Sequence, residues 1–200
     1  MNNTPTKCPS CDSITISGVY THEHGCPDAW KDTIPECMSE VVGEWILCIQ
    51  DAMPADIRNS KKWRSLLPLA AGTGRGRESE RLDIVMEWLW SIVLPQLLPL
   101  AAEQGFGVEW QRMLDARTSD AANVACVAST AAANVASTYA STSAYAAATA
   151  SFATAASFAA RSATASSFID STQYWSAVDP CGLLEKLITL PRKSPMRNLA

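Results

Sequence analysis

The sequence predicts an all-α protein, a helical bundle with a long alanine-rich helical C-terminal region and a small Cys/His-rich N-terminal segment. Three observations predict this class. Apolar residues recur at spacings of three and four between residues 40 and 94, which is the period of an amphipathic helix. From residue 108 to residue 179 the chain contains neither glycine nor proline, the residues least compatible with a helix interior. Four of the seven cysteines and both histidines lie within residues 1–37.

Composition divides the chain into three regions. We take residues 1–37 as the Cys/His-rich segment and residues 38–107 as a Trp-rich helical region. Residues 108–200 form an Ala-rich helical region that ends in a short helix and a basic tail. Hydrophobic residues make up 48% of the 200 residues, so a core can be buried. A net charge of −4 is too mild to indicate nucleic-acid binding by the chain as a whole.

The location of the protein is predicted from what its first residues and its most apolar segment contain. The N-terminus has neither the basic nor the apolar segment of a secretory signal, so we expect a cytoplasmic protein. Residues 84–102 are long enough to cross a membrane, but Glu87, Pro95 and Pro99 interrupt them. We therefore expect a soluble protein in which this segment is a core helix.

Local signals place the elements before residue 78. The alternation in Ile14–Ile16 predicts a short strand or hairpin. Ser39 can cap a helix over about 40–52, and Ser60 can cap a second helix that Gly72 ends. We expect the following segment, GTGRGR at 72–77, to be a flexible helix–helix connection, because it matches no phosphate-binding motif.

A third helix is expected from about Glu78 to Leu94, with a continuation that Pro95 and Pro99 kink. It carries Trp88 and Trp90 only two positions apart. Residues two apart on a helix do not share a face. We therefore expect one of the two indoles to be exposed at a partner surface.

The Ala-rich tract is predicted to be helical, with disorder as the alternative. Within residues 121–168, 36 of the 48 residues are Ala, Ser or Thr, and Ala has the highest helix propensity. We expect two helices folded back on each other, with a break or a re-phasing of the helix near 154–157. Six larger residues fall within one arc of a helical wheel, which predicts an amphipathic helix that buries this stripe: Val124, Val127, Val135, Tyr139, Tyr145 and Phe152.

The Cys8-Pro9-Ser10-Cys11 motif is typical of the first half of a zinc ribbon, since two thiolates from one tight turn can fill two corners of a tetrahedron. Cys26 and Cys37 could supply the other corners, with His22 and His24 as alternates. The second cysteine pair is broken, because Cys37 is followed by MSE and not by a second cysteine. The segment is therefore zinc-ribbon-like with one structural Zn²⁺, or a degenerate, metal-free segment.

The composition changes at Met38, which suggests a fusion between a truncated zinc-ribbon protein and a helical protein beginning at Met38. The helical body contains no histidine for acid–base chemistry, and we expect no enzymatic activity. Basic residues are concentrated between 58 and 81. They form a solvated surface, a patch for an acidic partner, or a nucleic-acid site made of Arg58, Lys61, Lys62, Arg64, Arg75 and Arg77.

Two stretches carry a resemblance. CPSCDSITISGVYTHEHGCPDAWKDTIPEC resembles the N-terminus of small uncharacterised bacteriophage and prophage proteins with zinc-ribbon character. EWILCIQDAMPADIRNSKKWRSLLPLAAGTGR, with the Ala-rich tract and DPCGLL, is similar to phage-associated proteins with Ala-rich helical tails. More weakly, the Trp-rich and Ala-rich helices resemble immunity proteins of bacterial toxin systems.

The resemblance implies a phage or prophage accessory protein that binds another protein and inhibits host defence or redirects host machinery. The alternatives are a nucleic-acid-binding protein that uses the 58–81 region and an immunity protein. No membrane partner is expected, and a homo-oligomer is compatible with the sequence. Large apolar side chains would carry the partner contact, and the candidates are Trp88, Trp90, Tyr139, Tyr145 and Phe152.

Overall fold

A computed structural model describes residues 37–132, 134–148 and 151–190, together with Ile34 and the backbone of three short strands. The strands Thr6–Lys7 (β1), Ile14–Ile16 (β2) and Val19–Tyr20 (β3) pair antiparallel in chain order. In the β2–β3 pair, Thr15 lies opposite Tyr20. The strand or hairpin predicted at Ile14–Ile16 is therefore confirmed, and the rest of the description concerns a helical body.

The first half of the body contains α1 (Glu40–Ala52), α2 (Ala55–Arg58), α3 (Lys61–Ala70) and α4 (Glu78–Trp88). The predicted caps are confirmed. The Ser39 hydroxyl accepts from the Val42 amide at 3.3 Å, and the Ser60 hydroxyl accepts from the Trp63 amide at 3.1 Å. A cap depends on a few neighbouring residues, which is why local sequence is enough to find it.

The helix that begins at α4 continues without a break through a π-helical turn (Leu89–Val93) and a 3₁₀ turn (Leu94–Leu97) into α5 (Leu98–Glu103). Proline cannot donate to a helical carbonyl, and its ring displaces the preceding turn. The widened and then tightened turns around Pro95 accommodate it within one continuous helix. The kink predicted at the two prolines thus takes the form of a change in helical pitch.

Both Trp88 and Trp90 are buried in this helix, so the expectation that one of them is exposed is wrong. The π-helical turn changes the number of residues per turn, and α9 and α10 both contact it. Three consecutive side chains, Trp88, Leu89 and Trp90, are buried as a result. The Trp88 indole donates to the Val178 carbonyl at 2.8 Å, which satisfies a carbonyl at the end of a neighbouring helix.

The second half of the body contains six helices in the described residues. They are α6 (Gly107–Ala116), α7 (Ser119–Ala131), α8 (Val135–Ala148), α9 (Phe152–Ala165), α10 (Ser171–Val178) and α11 (Pro180–Ile188). The Ala-rich tract therefore forms three helices where two were predicted. The break predicted at 154–157 is wrong, because those residues lie inside α9.

The continuous helix of residues 78–103 is the centre of the body. α1 and α11 pack on its α4 part, α9 and α10 on its π-helical turn, and α6 and α8 on α5. By length and composition it is the one helix among the described residues that could cross a membrane, and half of its most apolar window is buried inside the body. In this fold it serves as the core helix that the sequence predicts.

Candidate functional site

The seam between α7, α8 and α9 is built from small side chains. Apart from Phe152, every buried residue of the three helices is alanine or serine, both where they contact each other and where α9 packs against α1 and the central helix: Ala122, Ala125, Ser129, Ala136, Ser137, Ala140, Ser141, Ser143, Ala144, Ala146, Ala147, Ala153, Ala155, Ala156, Ser157, Ala159, Ala160, Ser162 and Ala163. The distance between helix axes depends on the side chains at the contact. Residues of this size let the backbones approach closely.

The predicted bulky stripe is therefore not the buried face. Val124 is 48% exposed, Val127 72%, Val135 63% and Tyr145 57%. Tyr139 is half-buried, and of the stripe only Phe152 is buried. The prediction of a helix that buries its large residues is wrong, because close packing of these helices favours the alanine face over the valine face.

Serine hydroxyls connect the three helices across the seam. The Ser162 hydroxyl donates to the Ala136 carbonyl at 2.7 Å, and the Ser143 hydroxyl donates to the Ala155 carbonyl at 2.9 Å. The Ser141 hydroxyl donates to the Cys126 carbonyl at 3.1 Å. A carbonyl oxygen has two lone pairs, so each can accept such a bond in addition to its helical one. The serines of the tract thus fix the pairing of the helices.

The outward faces of α7 and α8 present the bulky residues to solvent. On α7 the exposed row contains Asn123, Val124, Val127 and Thr130. On α8 it contains Val135, Thr138 and Tyr145, with the half-buried Thr142 between them. The two helices pack side by side, and residues 121–160 carry no charged side chain. We call these two rows the α7–α8 outer face.

The predicted basic residues fall into three groups. Four of them lie together where α2 meets α3 and are exposed: Arg58, Lys61, Lys62 and Arg64. We call them the α3 basic face. Arg75 is exposed in the loop after α3, and Arg77 is half-buried at the start of α4, 3.4 Å from the Glu80 carboxylate. The structure therefore brings four of the six predicted residues together.

Residues 72–74 of the loop that was predicted to be a flexible connection are held by hydrogen bonds, and the following Arg75 and Gly76 are exposed. The Gly74 amide donates to the Cys37 carbonyl at 2.9 Å, and the Ser39 amide donates to the Thr73 hydroxyl at 2.9 Å. Gly74 has a φ of 59°, which glycine adopts readily. The loop thus covers the start of α1.

Arg81 and Glu78 also hold the loop and the start of α1 in place, and the sequence predicts neither of these roles. The buried Arg81 guanidinium donates to the carbonyls of Thr73 at 2.9 Å, Gly74 at 3.0 Å and Leu187 at 3.3 Å. The Glu78 carboxylate accepts from the Ser39 hydroxyl at 2.8 Å and from the Val41 amide at 3.0 Å. A carboxylate at a helix N-terminus is stabilised by the helix dipole. Nothing local marks these long-range partners.

Of the predicted zinc ligands, Cys37 is described, and Cys8, Cys11, Cys26, His22 and His24 lie outside the described residues. Cys37 is half-buried and packs against the core. Within the described ranges no three Cys, His, Asp or Glu side chains are grouped as a metal site. Zinc binding by the Cys8–Cys37 set therefore remains a prediction.

The thiols and the tyrosine of the core are held in their neutral forms. Burial raises the pKa of Cys48, and the neighbouring Glu44 and Asp51 raise it further. Burial also raises the pKa of Cys181 and of Tyr174. Because the thiolate is the nucleophilic form, these cysteines are weak nucleophiles at neutral pH.

An open groove of about 800 Å³ runs between α5 and α6. Leu98, Ala102 and Val108 line it, with Arg112 and Asp115 at one side.

The chain matches no family model, and comparisons with curated proteins and with solved structures found no significant match.

Proposed function

We propose that this chain is a non-enzymatic accessory protein of phage or prophage type that works in the host cytoplasm by binding another protein. The α7–α8 outer face is the contact surface. The observation that carries the proposal is the exposure of Val127 and Tyr145 on helices whose buried residues are all alanine or serine. The resemblance of the sequence to phage proteins supports a role inside the host cell. Binding of the partner would there inhibit host defence or redirect host machinery.

The physical case rests on what a protein interface requires. A few large apolar or aromatic side chains carry most of the binding free energy, and burying one valine or tyrosine is worth about 1.5 to 3 kcal/mol. Val124, Val127, Val135 and Tyr145 supply such side chains on an uncharged surface. A rigid helical scaffold also lowers the entropic cost of docking.

Three of the predicted contact residues have no place in this proposal. Trp88, Trp90 and Phe152 are each less than one tenth exposed, so they act in the core. Tyr145 and the half-buried Tyr139 remain candidates, and the two valines of α7 join them.

Site-specific photo-crosslinking tests the proposal. A photoreactive amino acid replaces Val127 in one variant and Tyr145 in a second, while a third carries it at the exposed Gln173 of α10. In bacterial lysate we expect the same adduct from positions 127 and 145 and none from 173. An adduct with a second copy of this chain would identify a homo-oligomer face. Equal labelling from all three positions, or none, would contradict the proposal.

A further inference from the structure

The α3 basic face is a concentrated positive surface on an acidic protein. On α3, Lys61 lies at the centre of the solvent-facing side, with Lys62 and Arg64 flanking it, opposite the buried Trp63, Leu66, Leu67 and Ala70. Arg58 ends α2 just before this helix. α3 contains no acidic residue, while the whole chain carries a net charge of −4. The positive potential is therefore local to this face.

Few acidic groups neutralise these cations. Lys62 lies 3.4 Å from the Glu185 carboxylate of α11, in a pair whose side chains are both about half exposed. Arg64 donates to the Asn59 side-chain oxygen at 3.1 Å. Arg58 and Lys61 have no ion pair within the described part of the chain, and Asp56 is the one acidic residue of α2. The N-terminal end of the α3 dipole adds positive potential at Lys61.

The chemistry of this face favours a phosphate backbone over an acidic protein. A protein interface needs buried apolar anchors, and Leu69 is the one large apolar residue exposed on α3. Phosphate contacts need cations and hydrogen-bond donors such as Ser and Asn side chains. The exposed Asn59 supplies such a donor next to the lysines and arginines, because only its side-chain oxygen is used by Arg64.

We propose that the α3 basic face binds the phosphate backbone of double-stranded DNA without reading its base sequence. Duplex DNA presents a dense and regular array of fixed negative charge, about one charge per 1.7 Å of its axis. Two side chains of a type that reads base edges, Arg64 and Asn59, are hydrogen-bonded to each other at 3.1 Å. This activity is independent of the α7–α8 outer face, which lies on other helices.

The electrostatic mechanism gives a quantitative expectation. Each neutralised phosphate contributes about −0.9 to the slope of log K against log salt concentration. Four cations therefore predict a slope of about −3 to −4 for the native chain, and removal of two predicts a slope of about −2 or shallower. Glu185 competes with DNA for Lys62, so its removal should strengthen binding.

Fluorescence anisotropy with a labelled 30-base-pair duplex, from 25 to 200 mM KCl, tests this. The double variant Lys61→Glu/Arg64→Glu should lower affinity at least about tenfold at 25 mM KCl. Glu185→Gln should raise it about two- to fivefold, because Lys62 becomes free. Arg112→Glu, which reverses one cation on α6, should leave affinity within about twofold. Circular dichroism melting checks that each variant is folded.

Three results would overturn the proposal. The native chain could fail to bind the duplex at 25 mM KCl. The Arg112→Glu variant could lose as much binding free energy per reversed charge as Lys61→Glu/Arg64→Glu, which would mean that total charge and not this face governs binding. A labelled poly-glutamate peptide could bind the native chain more tightly than the duplex at equal salt, which would assign the face to an acidic protein instead.

Discussion

Arg81 connects the loop after α3 to the end of α11 through one buried side chain. It is 2% exposed, and its guanidinium reaches the loop after α3 and the C-terminal turn of α11 at once. Burial lowers the pKa of Arg81, while the nearby Glu78 carboxylate, 3.8 Å away, raises it. A planar guanidinium can serve three carbonyls in fixed directions, which the ammonium group of lysine cannot do.

We expect Arg81→Lys to lower the free energy of unfolding by about 2 to 4 kcal/mol, because buried carbonyls lose charged donors. Urea denaturation followed by circular dichroism measures the change. The control is Arg75→Lys, an exposed position six residues earlier, where we expect a change within about 0.5 kcal/mol. Equal losses of unfolding free energy at positions 75 and 81 would show that the Arg81 hydrogen bonds do not contribute to stability.

At the scale of elements, the sequence predicts those structural features that depend only on neighbouring residues along the chain. The caps at Ser39 and Ser60, the core helix beginning near Glu78 and the helical state of the Ala-rich tract follow from local signals. The π-helical turn could not be predicted, because the burial of Trp90 within it and of Trp88 just before it depends on α9 and α10 packing against it.

The Ala-rich tract shows why the candidate surface was misplaced. A helical wheel that weighs only bulky residues assigns the core to the valine stripe. In the fold, α8 packs against both α7 and α9, and small residues are needed at both contacts. The valines are left outside. The signal that could have revealed this was the periodicity of alanine and serine.

This assignment predicts opposite effects for two substitutions. Ala140→Leu inserts a large side chain into the fully buried seam, and we expect a loss of about 1 to 3 kcal/mol of stability. Val127→Ala removes an exposed side chain and improves helix propensity, so we expect a change within about 0.5 kcal/mol. Thermal and urea denaturation of both variants measures the two changes in stability. A neutral Ala140→Leu beside a strongly destabilised Val127→Ala would restore the valine stripe as the core.

At the scale of the whole molecule, two kinds of packing share one central helix. Around α4, large side chains fill the core, and Trp45 contacts Trp63 and Trp88 with ring centroids 5.9 Å apart in each pair. In the α7–α9 seam, the core consists instead of small side chains and of hydrogen bonds from serine hydroxyls to backbone carbonyls. Aromatic packing of this kind is tolerant of helix spacing, whereas an alanine seam needs close contact along its length.

The body begins at Met38, which is fully buried, and this gives the fusion hypothesis a test. We expect residues 38–200 to retain helical circular dichroism and to melt cooperatively. The melting temperature should be lower than that of the full chain, because Ile34 packs on Gly43 and the Cys37 carbonyl accepts from Gly74. A truncated chain that is insoluble or lacks helical signal would show that residues 1–37 are integral to the fold.

Hydrogen–deuterium exchange of the α8 amides, Val135–Ala148, tests the central claim most directly. This helix contains no leucine, isoleucine or tryptophan, and its order depends on the small-residue contacts with α7 and α9. If the seam is a packed core, we expect α8 to exchange as slowly as α4, with protection that is lost only on global unfolding. Exchange of the α8 amides within seconds, while those of α4 remain protected, would contradict the claim that the seam is a packed core.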